Sequence, residues 1–121
     1  MKKMRILTVE DNKLFAKILE YNLSDGLRIE VRHVESGEAC LANLDWNPDL
    51  IILDFELPSM NRIETLKRIK SKNKETKVIA LSCHSTTSVI EDFMNEGILL
   101  FIDKNNNPMG KLMQYIKEMT I

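Results

Sequence analysis

The sequence predicts a doubly wound α/β domain, (βα)5, in which helices cover both faces of one five-stranded parallel sheet. Three observations carry that expectation. Short runs rich in Val, Ile and Leu recur five times along the 121 residues. Between them the apolar residues return every three or four positions, the period of a half-buried helix. The run "LIIL" at 50–53 is too continuous for a strand with one wet face, so it must be covered on both sides.

The first strand falls at residues 5–9 (RILTV). Leu14, Phe15, Ile18, Leu19 and Leu23 then follow a helical period, and Asp25-Gly26 ends that helix. Residues 29–34 set Ile29, Val31 and His33 against Arg32 and Val34, a strand with one more polar edge. Ser36 is placed to cap a short helix through Leu44, with Glu38 favourable in its first turn. Asn47-Pro48 breaks the chain before the third strand, residues 50–55. A helix with Ile63, Leu66 and Ile69 on one face follows and trails into the polar run 70–77. Residues 78–82 form the fourth strand. Ser85-Thr86-Thr87 can cap a helix bearing Val89, Ile90, Phe93 and Met94, which Gly97 closes. The fifth strand is 98–102. Pro108 sits where a helix accepts its first residue, and Leu112, Met113, Ile116 and Met119 give the last helix its stripe. Right-handed crossovers leave few topologies for five such units, and the flavodoxin-like order 2-1-3-4-5 suits them.

Composition sets the outer bounds. Residues 1–121 fit one domain, with 44% hydrophobic and 29% charged residues, an ordinary globular balance. A net charge of −1 gives no basic field to attract nucleic acid or a membrane surface. No apolar stretch approaches the roughly 20 residues of a membrane span. The Met1-Lys2-Lys3 start lacks the features of a secretory signal, so the cytoplasm is the expected location. Cys40 and Cys83 suggest no disulfide framework, and Cys40 reads as a small apolar residue on a helix.

In open parallel sheets, chemistry collects beyond the carboxyl ends of the strands. Here Glu10 and Asp11 follow strand 1, and Asp54 and Glu56 follow strand 3. Ser82 ends strand 4, and Asp103-Lys104 end strand 5. Clustered carboxylates resist simultaneous ionisation, and a hard divalent cation such as Mg2+, which takes oxygen ligands, resolves the conflict. An ammonium and a hydroxyl beside that cation suit a tetrahedral group carrying multiple negative charges. The chemistry implied is phosphoryl transfer onto an aspartate.

With these residues in hand, the sequence resembles the receiver domains of two-component response regulators over essentially its whole length. "ILTVEDN" is similar to the family's first strand and acidic pair, and "DLIILDFELPSM" to its phospho-acceptor strand and loop. "VIALSCH" and "GILLFIDK" resemble the strands that carry the Ser or Thr and the lysine. The resemblance implies that Asp54 is the phospho-acceptor. Mg2+ would be held by Glu10, Asp11, Asp54 and the backbone carbonyl of Glu56. Ser82 would donate to a phosphoryl oxygen, Lys104 would pair with its charge, and Phe101 would be the switch aromatic.

It also implies a histidine kinase or histidine phosphotransfer protein as donor and an effector domain or protein as recipient. The surface of helix 4, strand 5 and helix 5 would be read out, and pairing of two phosphorylated copies through helices 4 and 5 is compatible with this. Three positions depart from the pattern. Arg62 stands at a common Gly place, Cys83 at a usually smaller residue, and Asn105 replaces a proline that is commonly cis, so a trans bond is expected there. "KNNNP" resembles the K-x-x-x-P version found in receivers attached to helix-turn-helix transcription factors. Two other readings compete. One is a phosphorylation-independent interaction module. The other is an aspartate-nucleophile phosphatase, which Asp54-Phe55-Glu56 resembles but for which the chain lacks a cap domain.

Overall fold

Five strands hydrogen-bond into one parallel sheet in the order β2-β1-β3-β4-β5. They are β1 (Met4–Val9), β2 (Ile29–Val34), β3 (Leu50–Asp54), β4 (Lys77–Ser82) and β5 (Leu100–Asp103). The helices between and after them are α1 (Lys13–Leu23), α2 (Gly37–Ala42), α3 (Arg62–Lys72), α4 (Thr87–Asn95) and α5 (Pro108–Met119). The computed structural model describes residues 3–23, 28–54, 62–83 and 87–119. Among the sequence expectations, Asp25-Gly26, Phe55, Glu56 and Ser85-Thr86 lie outside the described residues.

Strand alternation builds two cores from one sheet. Ile6, Leu50, Ile52, Ile79, Leu81 and Ile102 point to the side covered by α1 and α5, where Leu19, Leu23, Leu112 and Ile116 meet them. Leu7, Val9, Ile51, Leu53, Val78 and Ala80 point to the other side, against Cys40, Leu66, Ile69 and Phe93 of α2, α3 and α4. All five residues of β3 are buried. That is why its sequence shows no polar alternation. Burial pushes the Cys40 thiol up to about 12, which leaves it the inert apolar residue the sequence suggests.

The elements keep their predicted order, and the differences are local. On α1, Ala16, Leu19 and Leu23 are buried. Leu14 and Ile18, expected on the same stripe, stand 71% and 40% exposed. Positions 14 and 18 share one helical face and 15, 19 and 23 another, about 100° away, and only the second meets the sheet. α2 ends at Ala42 rather than Leu44, because the Asn43 N–H turns back to Cys40 and Leu41 and a 3-10 turn, Leu44–Trp46, follows. Ser36 caps α2 as expected, its hydroxyl accepting from the Ala39 N–H at 3.1 Å. β5 begins at Leu100 rather than Ile98 because the Ile98 N–H closes α4 on the Phe93 carbonyl. Gly97, at φ +90°, makes that turn. No described residue has a cis peptide bond, so Lys104–Asn105 is trans.

Candidate functional site

The alternation that fills the cores also delivers the site. β1 and β3 pair in register, Val9 opposite Leu53, so Glu10 and Asp54 leave the sheet side by side. The Glu10 N–H is held by the Val34 carbonyl at 3.0 Å, which extends β1 by one bond beyond its last strand residue. Glu10 and Asp54 are 1% and 2% exposed, whereas Asp11 is exposed. Carboxylate oxygens of all three lie within 4.8 Å of one another.

Lys104 arrives from the far side of the sheet. Its backbone N–H donates to the Ser82 carbonyl at 2.9 Å, and the Asn105 side chain donates to the Cys83 carbonyl at 3.2 Å. These bonds pin the segment after β5 onto the end of β4. From there the ammonium crosses to the acids, 2.8 Å from Glu10 Oε1 and 3.2 Å from Asp54 Oδ1. The Lys104 side chain is only 10% exposed.

Charge is out of balance here, with three acids facing one ammonium. Burial first, and then the adjoining Asp54 carboxyl, raise the Glu10 carboxyl from 4.5 to about 7, and Lys104 offsets this only in part. Burial pulls the Lys104 ammonium down, but Glu10 and Asp54 together outweigh it and leave it above its ordinary value. Glu10 Oε1 is wholly buried, with the Lys104 ammonium as its near neighbour at 2.8 Å. An all-carboxylate donor set whose three acids converge while facing one ammonium fits a hard divalent cation such as Mg2+.

The other sequence candidates fall as follows. Ser82 is fully buried at the end of β4; Asp54 is in register with Leu81, so Ser82 stands one residue beyond Asp54's level on the neighbouring strand. Phe101 is half-buried, packed edge-on to Phe93 with ring centroids 6.0 Å apart and planes at 79°. Glu56, whose backbone carbonyl was assigned to the metal, lies outside the described residues. A cleft of about 670 Å³, lined by Arg28, Asp49, Lys77 and others, opens at the amino end of the strands, away from these acids. Its mixed charges build no comparable centre.

Two residues that sequence reasoning passed over hold the site. The Asn12 N–H donates to Glu10 Oε2 at 3.1 Å, while its Oδ1 caps α1 by accepting from the Phe15 N–H at 3.0 Å. The ring of Phe15 then lies 4.7 Å from Lys104 Nζ. An Asn before a helix is a recognisable cap in sequence. Nothing in sequence pairs Phe15 with Lys104.

Known proteins resemble this chain in sequence and in fold. The response regulator receiver domain family model matches residues 6–117. A protein-glutamate methylesterase/protein-glutamine glutaminase of Trichodesmium erythraeum is 39% identical, covering 100% of this chain and 36% of that protein. The transcriptional activator protein ExaE of Pseudomonas putida is 30% identical over 87% of this chain and 50% of that protein. The chain thus spans about a third to a half of these relatives. Among solved structures, the phosphorylated cyanobacterial phytochrome response regulator RcpA is similar at 29% identity and TM-score 0.80, covering 98% of this chain and 91% of that one. A CheY-like receiver domain protein of Methanospirillum hungatei shares the fold at TM-score 0.84 and 24% identity, over 98% and 94% of the two chains. With the family model matching almost its whole length and its five-stranded order shared with the solved receivers, the chain belongs to the response regulator receiver domain family.

Proposed function

We propose that this receiver takes a phosphoryl group onto Asp54 from a phosphohistidine of a sensor kinase or phosphotransfer protein. The observation that carries the reading is Asp54 itself, a buried carboxylate at a strand end, 3.2 Å from the Lys104 ammonium and clustered with Glu10 and Asp11. An Asp54 oxygen attacks phosphorus, a P–O bond forms, the P–N bond breaks and the imidazole leaves with the electron pair. Mg2+ bound by Glu10, Asp11 and Asp54 would supply neutralising charge for the phosphoryl oxygens. Lys104 gives up its carboxylate partners for one of those oxygens, and Ser82 donates its hydroxyl to another. The resulting acyl phosphate adds roughly −1.5 to −2 charges, by analogy with other phosphosites.

The new charge redistributes two populations of the α4–β5–α5 surface, with Phe101 following Ser82 as it shifts. The chain's chemistry ends at taking up and losing phosphate. The recipient of the signal is an effector domain or protein. The methylesterase and transcriptional activator names of the relatives supply two candidate kinds of output. Incubation with a small phosphodonor and Mg2+, followed by intact mass, tests the reading. One added phosphoryl group is expected, absent in Asp54→Asn and without chelator-resistant labelling. An unchanged mass in the folded wild-type protein would overturn it.

A further inference from the structure

We propose that Phe15 is a positioning residue for Lys104, its ring holding the ammonium at the site while leaving it free to change partners; the role in catalysis rests on the reading of Asp54 as phospho-acceptor. Lys104 Nζ is surrounded by three groups from three elements: Glu10 after β1, Asp54 at the end of β3, and the Phe15 ring on α1 at 4.7 Å. With 10% of the side chain exposed, the ammonium has lost most of its water. A ring face attracts a desolvated cation more strongly than an exposed one.

The backbone that carries the ring is held by bonds at the start of α1. Asn12 Oδ1 fixes the Phe15 N–H at 3.0 Å, and the Asn12 N–H is fixed by Glu10 Oε2 at 3.1 Å. Glu10 Oε1 in turn faces Lys104 at 2.8 Å. The contacts therefore close a circuit, Glu10 to Asn12 to Phe15 to Lys104 and back to Glu10. Phe15 also packs against the α1/α5-side core. A leucine could fill that space, but it could not attract the charge.

The kind of contact matters for the reaction. A third hydrogen-bond acceptor on the ammonium would tie it in one direction. A ring face attracts it over a broad cone, so Nζ can swing from the carboxylates to phosphoryl oxygens without returning to water.

The test replaces Phe15 with mono-, di- and trifluorophenylalanine, which weaken the ring face stepwise at nearly constant shape, alongside Phe15→Leu and Phe15→Tyr. Phosphorylation rate with a small donor and Mg2+ is measured together with Tm. A cation–π contact in a desolvated site predicts a graded fall to about a tenth of the wild-type rate across the series. Tm should stay near wild type, Leu should match the trifluoro ring, and Tyr should retain the rate. A flat rate across the fluorinated series overturns the proposal. If the wild-type protein takes no phosphate, the phospho-acceptor reading fails, and the positioning is judged on the unphosphorylated protein by NMR. An upfield ring-current shift of the Lys104 ε-protons that disappears in Phe15→Leu would uphold the contact. Its absence in the wild type would remove it.

Discussion

Glu10 is at once 1% exposed and ionisable near neutrality, its carboxyl raised to about 7. A folded-state value above the ordinary 4.5 means the native protein keeps this proton longer than the unfolded chain does. Without divalent ions, the group's contribution to stability is therefore fullest below 4.5 and is lost as pH rises to about 7, then stays flat. Urea melts in chelator should show that decline, and Glu10→Gln should lack it. Mg2+ binding at this cluster would have the opposite dependence, because the cation requires the carboxylate. Affinity should rise from about pH 6 to pH 8 with release of a proton near neutrality, read by calorimetry in buffers of different ionisation heat. Equal proton release in wild type and Glu10→Gln would assign the proton elsewhere. Glu10 as a candidate was readable in sequence, since strand ends of a parallel sheet concentrate chemistry. Its proton was not, because that depends on how completely Asn12, Asp54 and Lys104 enclose it.

At the scale of elements, Gly97 ends α4 with φ +90°, a conformation that disfavours any side chain. A Cβ there would meet Lys70 Cε at 3.6 Å, an ordinary contact, so the cost of Gly97→Ala is conformational rather than steric. We expect a loss of about 1–2 kcal/mol by chemical denaturation with little change in phosphorylation. A neutral result would show that the turn relaxes. Gly97 also shows where sequence reading was strongest, since a glycine after an apolar stripe is a direct stop signal. On α1 that reading was ambiguous. Leu14-Phe15 and Ile18-Leu19 are adjacent apolar pairs, so the period alone could not say which member of each pair meets the sheet. The fold resolved it: Phe15, Leu19 and Leu23 pack into the α1/α5-side core, while Leu14 and Ile18 stand exposed. Strand and helix ends shifted by about two residues for a similar reason: backbone bonds such as Ile98 N–H to Phe93 O decide them, and those depend on the turn.

Across the molecule, β3 is the common wall of both cores and also carries Asp54. Ile52 is 1% exposed on the α1/α5 side, two residues before the acid. Ile52→Ala should cost about 2–5 kcal/mol and lower Tm in a single cooperative transition. A separate early transition would mean that the two layers unfold apart. The strand order and the two-sided burial were legible before any coordinates, because five apolar runs with intervening amphipathic stretches admit few arrangements. The convergence of Glu10, Asp54 and Lys104 followed from that order.

Lys104 lies almost the whole chain away in sequence from Glu10, yet it joins the ends of β1 and β3 across β4. Contacts that close so long a loop carry a large entropy cost and gain nothing until the intervening segments are in place. During synthesis, the chain emerging from the ribosome carries Asp54 well before it carries its lysine. A partly made protein thus carries the acids before it carries the ammonium that meets them, and the cluster is complete only once β5 has joined the sheet.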